Sequence, residues 1–179
     1  WGNNYMNKIG LDVDPSLEYI KEPQPYKSFS SKNLKVIDIA LGESHILTVV
    51  KQRDGTKLEQ GKVYSWGLDK YGRLGYDSEL IKNDDEEIAK DEEYIFRRTP
   101  IGLKMIESVS RVACGPDFSA CITASGKVYT WGNNKWGNLG LRYEYNEDLN
   151  FDVNEVIKEP RLVKHLENEV IIQLVCGSK

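Results

Sequence analysis

Three copies of one ten-residue pattern constrain the fold of this chain more than any other feature. They are Trp1-Gly-Asn-Asn-Tyr-Met-Asn-Lys-Ile-Gly10, Trp66-Gly-Leu-Asp-Lys-Tyr-Gly-Arg-Leu-Gly75 and Trp131-Gly-Asn-Asn-Lys-Trp-Gly-Asn-Leu-Gly140, and their tryptophans are 65 residues apart both times. Self-similarity at a fixed period marks a repeat architecture, in which each unit covers its apolar face only by packing on its neighbours. The recurring position predicts that Trp1, Trp66 and Trp131 pack between units. Trp136, at the position of Tyr71 and Met6, is expected to pack as well. The glycines of the pattern (Gly2, Gly10, Gly67, Gly72, Gly75, Gly132, Gly137 and Gly140) are expected at tight turns. Asn7 stands where Gly72 and Gly137 stand, and asparagine is the next residue to tolerate a left-handed backbone.

Strand-like runs recur with the pattern. Val36-Ile-Asp-Ile-Ala-Leu41 before Gly42 matches Val109-Ser-Arg-Val-Ala-Cys114 before Gly115, and Ile171-Ile-Gln-Leu-Val-Cys176 before Gly177. A short apolar run closed by glycine suggests an inner strand packed on both faces. A second strand, Ser44–Val50, matches Asp117–Thr123, and a third, Gly61–Gly67, matches Gly126–Gly132. A short fourth strand is expected near the Leu-Gly end of the pattern. The unit is thus a four-stranded antiparallel meander, and radial stacking of such sheets gives an all-β propeller. Two units read as complete, at about 33–77 and 108–142. A repeat remnant lies at 1–12 and the start of a further unit at 169–179. Residues 13–34, with three prolines, read as a loop. A closed ring needs ~4–8 blades, so the chain reads as part of a longer ring: about two complete blades with partial blades at both ends.

Insertions interrupt the pattern at one place. From its last glycine to the next aligned proline the spacing is 15, 25 and 20 residues (Gly10–Pro25, Gly75–Pro100, Gly140–Pro160). Variable insertions at one repeat position fall on one face, often the binding face. The first large one spans 77–98 and the second 142–159. Nine acids stand against two bases between residues 77 and 93, including Asp84, Asp85, Glu86, Glu87, Asp91, Glu92 and Glu93, the candidate partner-binding loop. Ile81, Ile88 and Ile95, seven apart, with Asp84 and Glu87 placed as a capping box, fit a short amphipathic helix. A solvated acidic loop fits equally.

Residues Gly42-Glu-Ser-His-Ile-Leu-Thr, Gly61-Lys-Val-Tyr-Ser-Trp-Gly67 and Leu74-Gly75 recur as Gly115-Pro-Asp-Phe-Ser-Ala-Cys, Gly126-Lys-Val-Tyr-Thr-Trp-Gly132 and Leu139-Gly140. This series resembles the RCC1 repeat, the family named for the regulator of chromosome condensation. No Trp-Asp dipeptide or Gly-Gly doublet supports other propeller repeats. The resemblance implies an RCC1-like β-propeller, with seven blades typical of the family. It also implies either of two roles. One is a non-catalytic scaffold or regulatory module, as in relatives carrying kinase, ubiquitin-ligase or trafficking domains. The other is part of a guanine-nucleotide exchange factor for a Ran-type small GTPase, associated with chromatin as the founding member is. No stretch maps onto the exchange wedge of the founding member, so no catalytic residue is carried over.

The net charge of −4 gives no general attraction to nucleic acid or anionic membrane. No apolar run approaches the ~20 residues of a membrane span. Cys114, Cys121 and Cys176, an odd number in apolar runs, favour a reduced intracellular compartment, cytoplasmic or nuclear. No catalytic constellation emerges. His45 shares its repeat position with Phe118, which favours packing or one strand-end hydrogen bond. Cys114 and Cys176 share theirs with Leu41, and no zinc-ligand spacing occurs. No P-loop, nucleophile elbow or calcium loop is present. The expectation is a protein partner, with no cofactor, no metal and no small-molecule substrate.

Overall fold

The computed structural model describes residues 1–4, 9–10, 14, 16–26, 29, 33–52, 60–77, 89–91, 94–105, 107–141, 145–146, 151–152 and 156–178, with 89–91, 94, 98, 145–146 and 151–152 as backbone only. Gly2–Asn3 (β1) pairs with Tyr19–Ile20 (β2). The first full sheet contains Leu34–Leu41 (β3), His45–Gln52 (β4), Lys62–Asp69 (β5), Ala89–Asp91 (β6) and Tyr94–Gly102 (β7), in the order β3-β4-β5-β7-β6. The second contains Val109–Cys114 (β8), Phe118–Thr123 (β9), Val128–Asn133 (β10) and Val156–Leu162 (β13), in the order β8-β9-β10-β13. Tyr145–Asn146 (β11) and Phe151–Asp152 (β12) form a separate two-stranded pair.

The fourth strand differs from expectation. It is neither short nor at the Leu-Gly end. It is β7 in one sheet and β13 in the other, and each follows its insertion. The chain cannot extend directly from the motif, because the motif closes on itself: Gly75 N–H donates to the Gly72 carbonyl and Gly140 N–H to that of Gly137, at 3.0 and 3.1 Å. It leaves the sheet there and returns after the insertion. The same pairing holds in three units, with Gly2 opposite Ile20, Gly67 opposite Arg97 and Gly132 opposite Ile157. Part of the expected 13–34 loop is therefore strand. The ladder shifts register across Trp66, between Ser65 and Gly67, and across Trp131, between Thr130 and Gly132. Pro100 and Pro160 fall within these bulges, among the extra residues of β7 and β13, where a residue without an N–H costs no ladder bond.

The main core lies between the two full sheets. Leu47, Val49, Val63 and Leu74 of the first meet Val109, Phe118, Cys121 and Trp131 of the second. Hydrogen bonds cross the same joint: Val109 N–H to the Gly61 carbonyl, Gly61 N–H to Ser108 Oγ, and Val112 N–H to the Asp38 carboxylate, at 2.8–2.9 Å. On the other face of the first sheet Tyr26 and Phe29 pack on Trp66, with Tyr26 stacked at 5.6 Å between centroids.

Burial of the inner strands on both faces holds for only one of the three. In β8, Val109, Val112 and Ala113 are buried because β3 packs beside them. In β3, Ile39 and Leu41 are 56% and 68% exposed. Residues 171–176 carry no strand pairing in the described structure, and Ile172 and Val175 are exposed. Their placement nevertheless repeats the joint. Ile171 N–H donates to the Gly126 carbonyl as Val109 does to Gly61. Gly42, Gly115 and Gly177 line one cavity of about 360 Å³.

Candidate interaction face

Strand direction sets which loops share an end of the sheets. β3 ends at Leu41 and β4 starts at His45, while β5 ends at Asp69 and β7 starts at Tyr94. The Gly42 turn, the motif turn and the acidic insertion therefore share one end. By the same register the Gly115 turn, the second motif turn and the second insertion share that end of the other sheet.

One side chain fixes each motif turn. Asn4, Asp69 and Asn134, the fourth residue of each copy, accept the backbone N–H of Ile9, Leu74 and Leu139 at 3.4, 3.4 and 3.2 Å. From the strand, Ser65 and Thr130 hydroxyls donate to the Leu74 and Leu139 carbonyls at 2.6 and 2.8 Å. The tryptophan of the next unit then seats on the last glycine. A Cβ at Gly75 would lie 2.8 Å from Trp131 Nε1, and one at Gly10 would lie 3.3 Å from Trp66 Nε1. Trp66 and Trp131 are buried, and Trp1 is 74% exposed.

His45 Nε2 and Ser119 Oγ meet at 2.9 Å across the joint. The Ser119 hydroxyl donates its one proton to the Arg73 carbonyl at 2.8 Å, so His45 Nε2 must be the donor to Ser119. Burial, and then the Arg73 charge, hold the His45 pKa down to about 3. The serine proton points away from the only base beside it, and both side chains are sealed from solvent. The pair is a structural joint, not a nucleophile and base. Arg73, itself buried, donates to the Lys70 and Pro116 carbonyls at 2.8 and 2.9 Å. Burial raises the thiols of Cys114, Cys121 (to about 12) and Cys176 (to about 11), which keeps them protonated. Among the described residues no three His, Cys, Asp or Glu side chains gather as a metal would require.

The acidic candidates separate. Asp91 ends β6, whose pairing with β7 runs Ala89 opposite Phe96 to Asp91 opposite Tyr94. Asp84, Asp85, Glu86, Glu87, Glu92 and Glu93 lie outside the described residues. The helix reading fails where the chain is described, because 89–91 and Ile95 are strand. Trp136 is corrected too: it is 69% exposed, and Tyr71 is 41% exposed. Repetition in sequence marked the position but not which way its ring faces.

The profile of the Regulator of chromosome condensation (RCC1) repeat matches residues 60–122 and 125–179. The chain belongs to the RCC1-repeat family. Among curated relatives, the human "Probable E3 ubiquitin-protein ligase HERC4" is 28% identical over 90% of this chain and 12% of its own length. The Schizosaccharomyces pombe "Protein pim1" is 29% identical over 99% of this chain and 30% of its own length. Yeast RCC1 (Prp20), solved with Kap60, superimposes with a TM-score of 0.72 at 20% identity, covering all of this chain and 36% of that one. This RCC1-repeat chain thus spans about a third or less of the length of the relatives it matches. Its two full sheets are propeller blades of the RCC1 type. No helix among the described residues is long and apolar enough to cross a membrane.

Proposed function

We propose that this RCC1-repeat segment is a non-catalytic, intracellular interaction module that presents its insertion-bearing face to a protein partner. The carrying observation is the constant register at which insertions of unequal length enter and leave, Gly67 opposite Arg97 and Gly132 opposite Ile157. The blades are held fixed while the loops vary, as binding loops on a rigid scaffold do. Replacing residues 78–88 of the parent protein by a short Gly-Ser turn should leave its melting temperature unchanged and remove partners from proximity labelling. An unchanged partner set would overturn the assignment.

A second reading, exchange on a Ran-type GTPase, is supported by the solved Saccharomyces cerevisiae relative Prp20p, characterised for its binding to Gsp1p and histones. Exchange requires no acid, base or nucleophile from the protein, so it needs no catalytic triad. The test is nucleotide release from a panel of small GTPases by the parent ring. No acceleration for any of them would sink the exchange reading and leave the scaffold reading standing.

A further inference from the structure

The first full blade opens a cavity at the end of the sheets opposite the insertions. β5 starts there at Lys62 and β7 ends there at Gly102. The link from β7 to β8 is tied to β5 at both ends: Leu103 N–H donates to the Val63 carbonyl at 2.8 Å, and Val109 N–H to that of Gly61 at 2.9 Å. Between β5 and the link lies a cavity of about 270 Å³. Glu107 on its wall bonds to Ser125 and Lys127 of the second blade, so the cavity sits where two full blades meet.

The two blades differ at this place. Tyr129 of the second stands opposite Leu162, whereas Tyr64 of the first stands opposite Gly102. Gly102 is exposed and its backbone is not left-handed. A Cβ on it would have Tyr64 Cε1 as its nearest neighbour, at an ordinary 3.4 Å. Neither a turn nor close packing demands glycine here, and its effect is to leave space beside the Tyr64 ring. Phe29 holds that ring from another side, edge to face at 5.3 Å.

Charge differs as well. Lys127 of the second blade pairs with Glu107 at 3.1 Å. Lys62 is its counterpart in the first, and Lys104 lies on the link. Both are exposed, and among the described residues neither forms an ion pair. Glu107 is the one carboxylate among the described residues lining the cavity, and its oxygens are taken up by Lys127 Nζ and Ser125 Oγ. The cavity is left with the ammoniums of Lys62 and Lys104 beside apolar walls of Tyr64, Leu103 and Met105.

We propose that this cavity receives a phosphotyrosine side chain of a partner protein. A phosphate monoester carries about two negative charges at neutral pH. Two ammoniums match that dianion as point charges. The apolar walls take the phenyl ring, which phosphoserine lacks. Drug-sized sites occupy ~300–1,000 Å³, so this smaller space suits one side chain. The site lies at the far end from the insertions and does not rest on the interaction-face reading.

The probe is a fluorescein-labelled glycine-serine peptide with one phosphotyrosine, compared with tyrosine and phosphoserine versions by fluorescence anisotropy on the parent protein. The phosphotyrosine peptide should bind at least tenfold tighter than either. G102L places the leucine of the second blade opposite Tyr64. It should melt no lower than the parent and weaken binding at least tenfold. K62Q/K104Q should do the same without touching the packing, which keeps the test intact if G102L fails to fold. Equal binding of phosphotyrosine and phosphoserine overturns the proposal, as does unchanged binding to folded G102L or K62Q/K104Q. The 78–88 replacement should bind the peptide as the parent does. Loss of binding there would put the peptide on the insertion-bearing face and overturn the assignment to this cavity.

Discussion

Trp131 donates its indole N–H to the carbonyl oxygen of Arg73 at 3.0 Å, tying the second blade to the motif turn of the first. The same oxygen accepts the Ser119 hydroxyl, and Ser119 accepts from His45. One backbone carbonyl therefore gathers side chains from both blades. Within this network only His45 Nδ1 is a buried polar atom without a hydrogen-bond partner.

Tryptophans of the three copies should differ sharply when truncated. Trp131 is fully buried, so W131A should cost about 3–5 kcal/mol through lost area and a cavity. Trp1 is 74% exposed, so W1A should stay within about 0.5 kcal/mol. Urea denaturation of both variants measures this, and equal losses would contradict the seating of Trp131 on Gly75.

His45 should make stability depend on pH. Its folded pKa of about 3 lies below the ordinary 6.5, so its contribution is complete above pH 6.5 and is lost as pH falls from 6.5 toward 3. The loss is about 1.4 kcal/mol per pH unit within that window. H45F installs the aromatic that Phe118 supplies in the next unit and should remove this slope. Denaturation of wild type and H45F at pH 7, 5.5 and 4.5 gives the difference, in which carboxylate titration cancels. A pH-independent difference would refute the account.

Gly2 and Gly67 separate backbone strain from collision. Both have φ near +110°. A Cβ at Gly2 meets nothing within 4 Å, whereas one at Gly67 lies 2.4 Å from the Ser44 carbonyl oxygen and 2.7 Å from His45 Cα. G2A should cost about 1–2 kcal/mol at most, and G67A a further ~1–3 kcal/mol. Thermal melting of the two variants decides it, and equal shifts would contradict the close approach.

Asn134 and Asp69 perform one task with different side chains. N134D should keep the acceptor for Leu139 N–H and lose less than N134A, even though it places a carboxylate at a fully buried position. N134A should orphan that buried N–H and cost about 1–3 kcal/mol. Matching losses in both variants would remove the capping role.

The motif turns and the first three strands of each blade were legible because glycine, tryptophan and alternating apolar residues carry local instructions. The outer strand was not. It begins beyond an insertion of variable length and contains a proline. In the first blade it buries Arg97 where Ile20 and Ile157 stand in the others, so no shared apolar residue announces it. Residues 171–176 have strand composition, but pairing is a property of two segments and one sequence run cannot supply it. Tyr71 and Trp136 failed differently. An aromatic at a repeated position is consistent with burial or exposure, and here the rings are 41% and 69% exposed.

The acidic insertion is, in polymer terms, the loop of a hairpin whose two legs are already paired. Because Gly67 sits opposite Arg97, its ends meet whatever its length. Closing such a loop grows costlier only logarithmically, about 0.6 kcal/mol per doubling. The insertion can therefore be rewritten residue by residue, or replaced by wholesale graft, without the blade beneath registering the change.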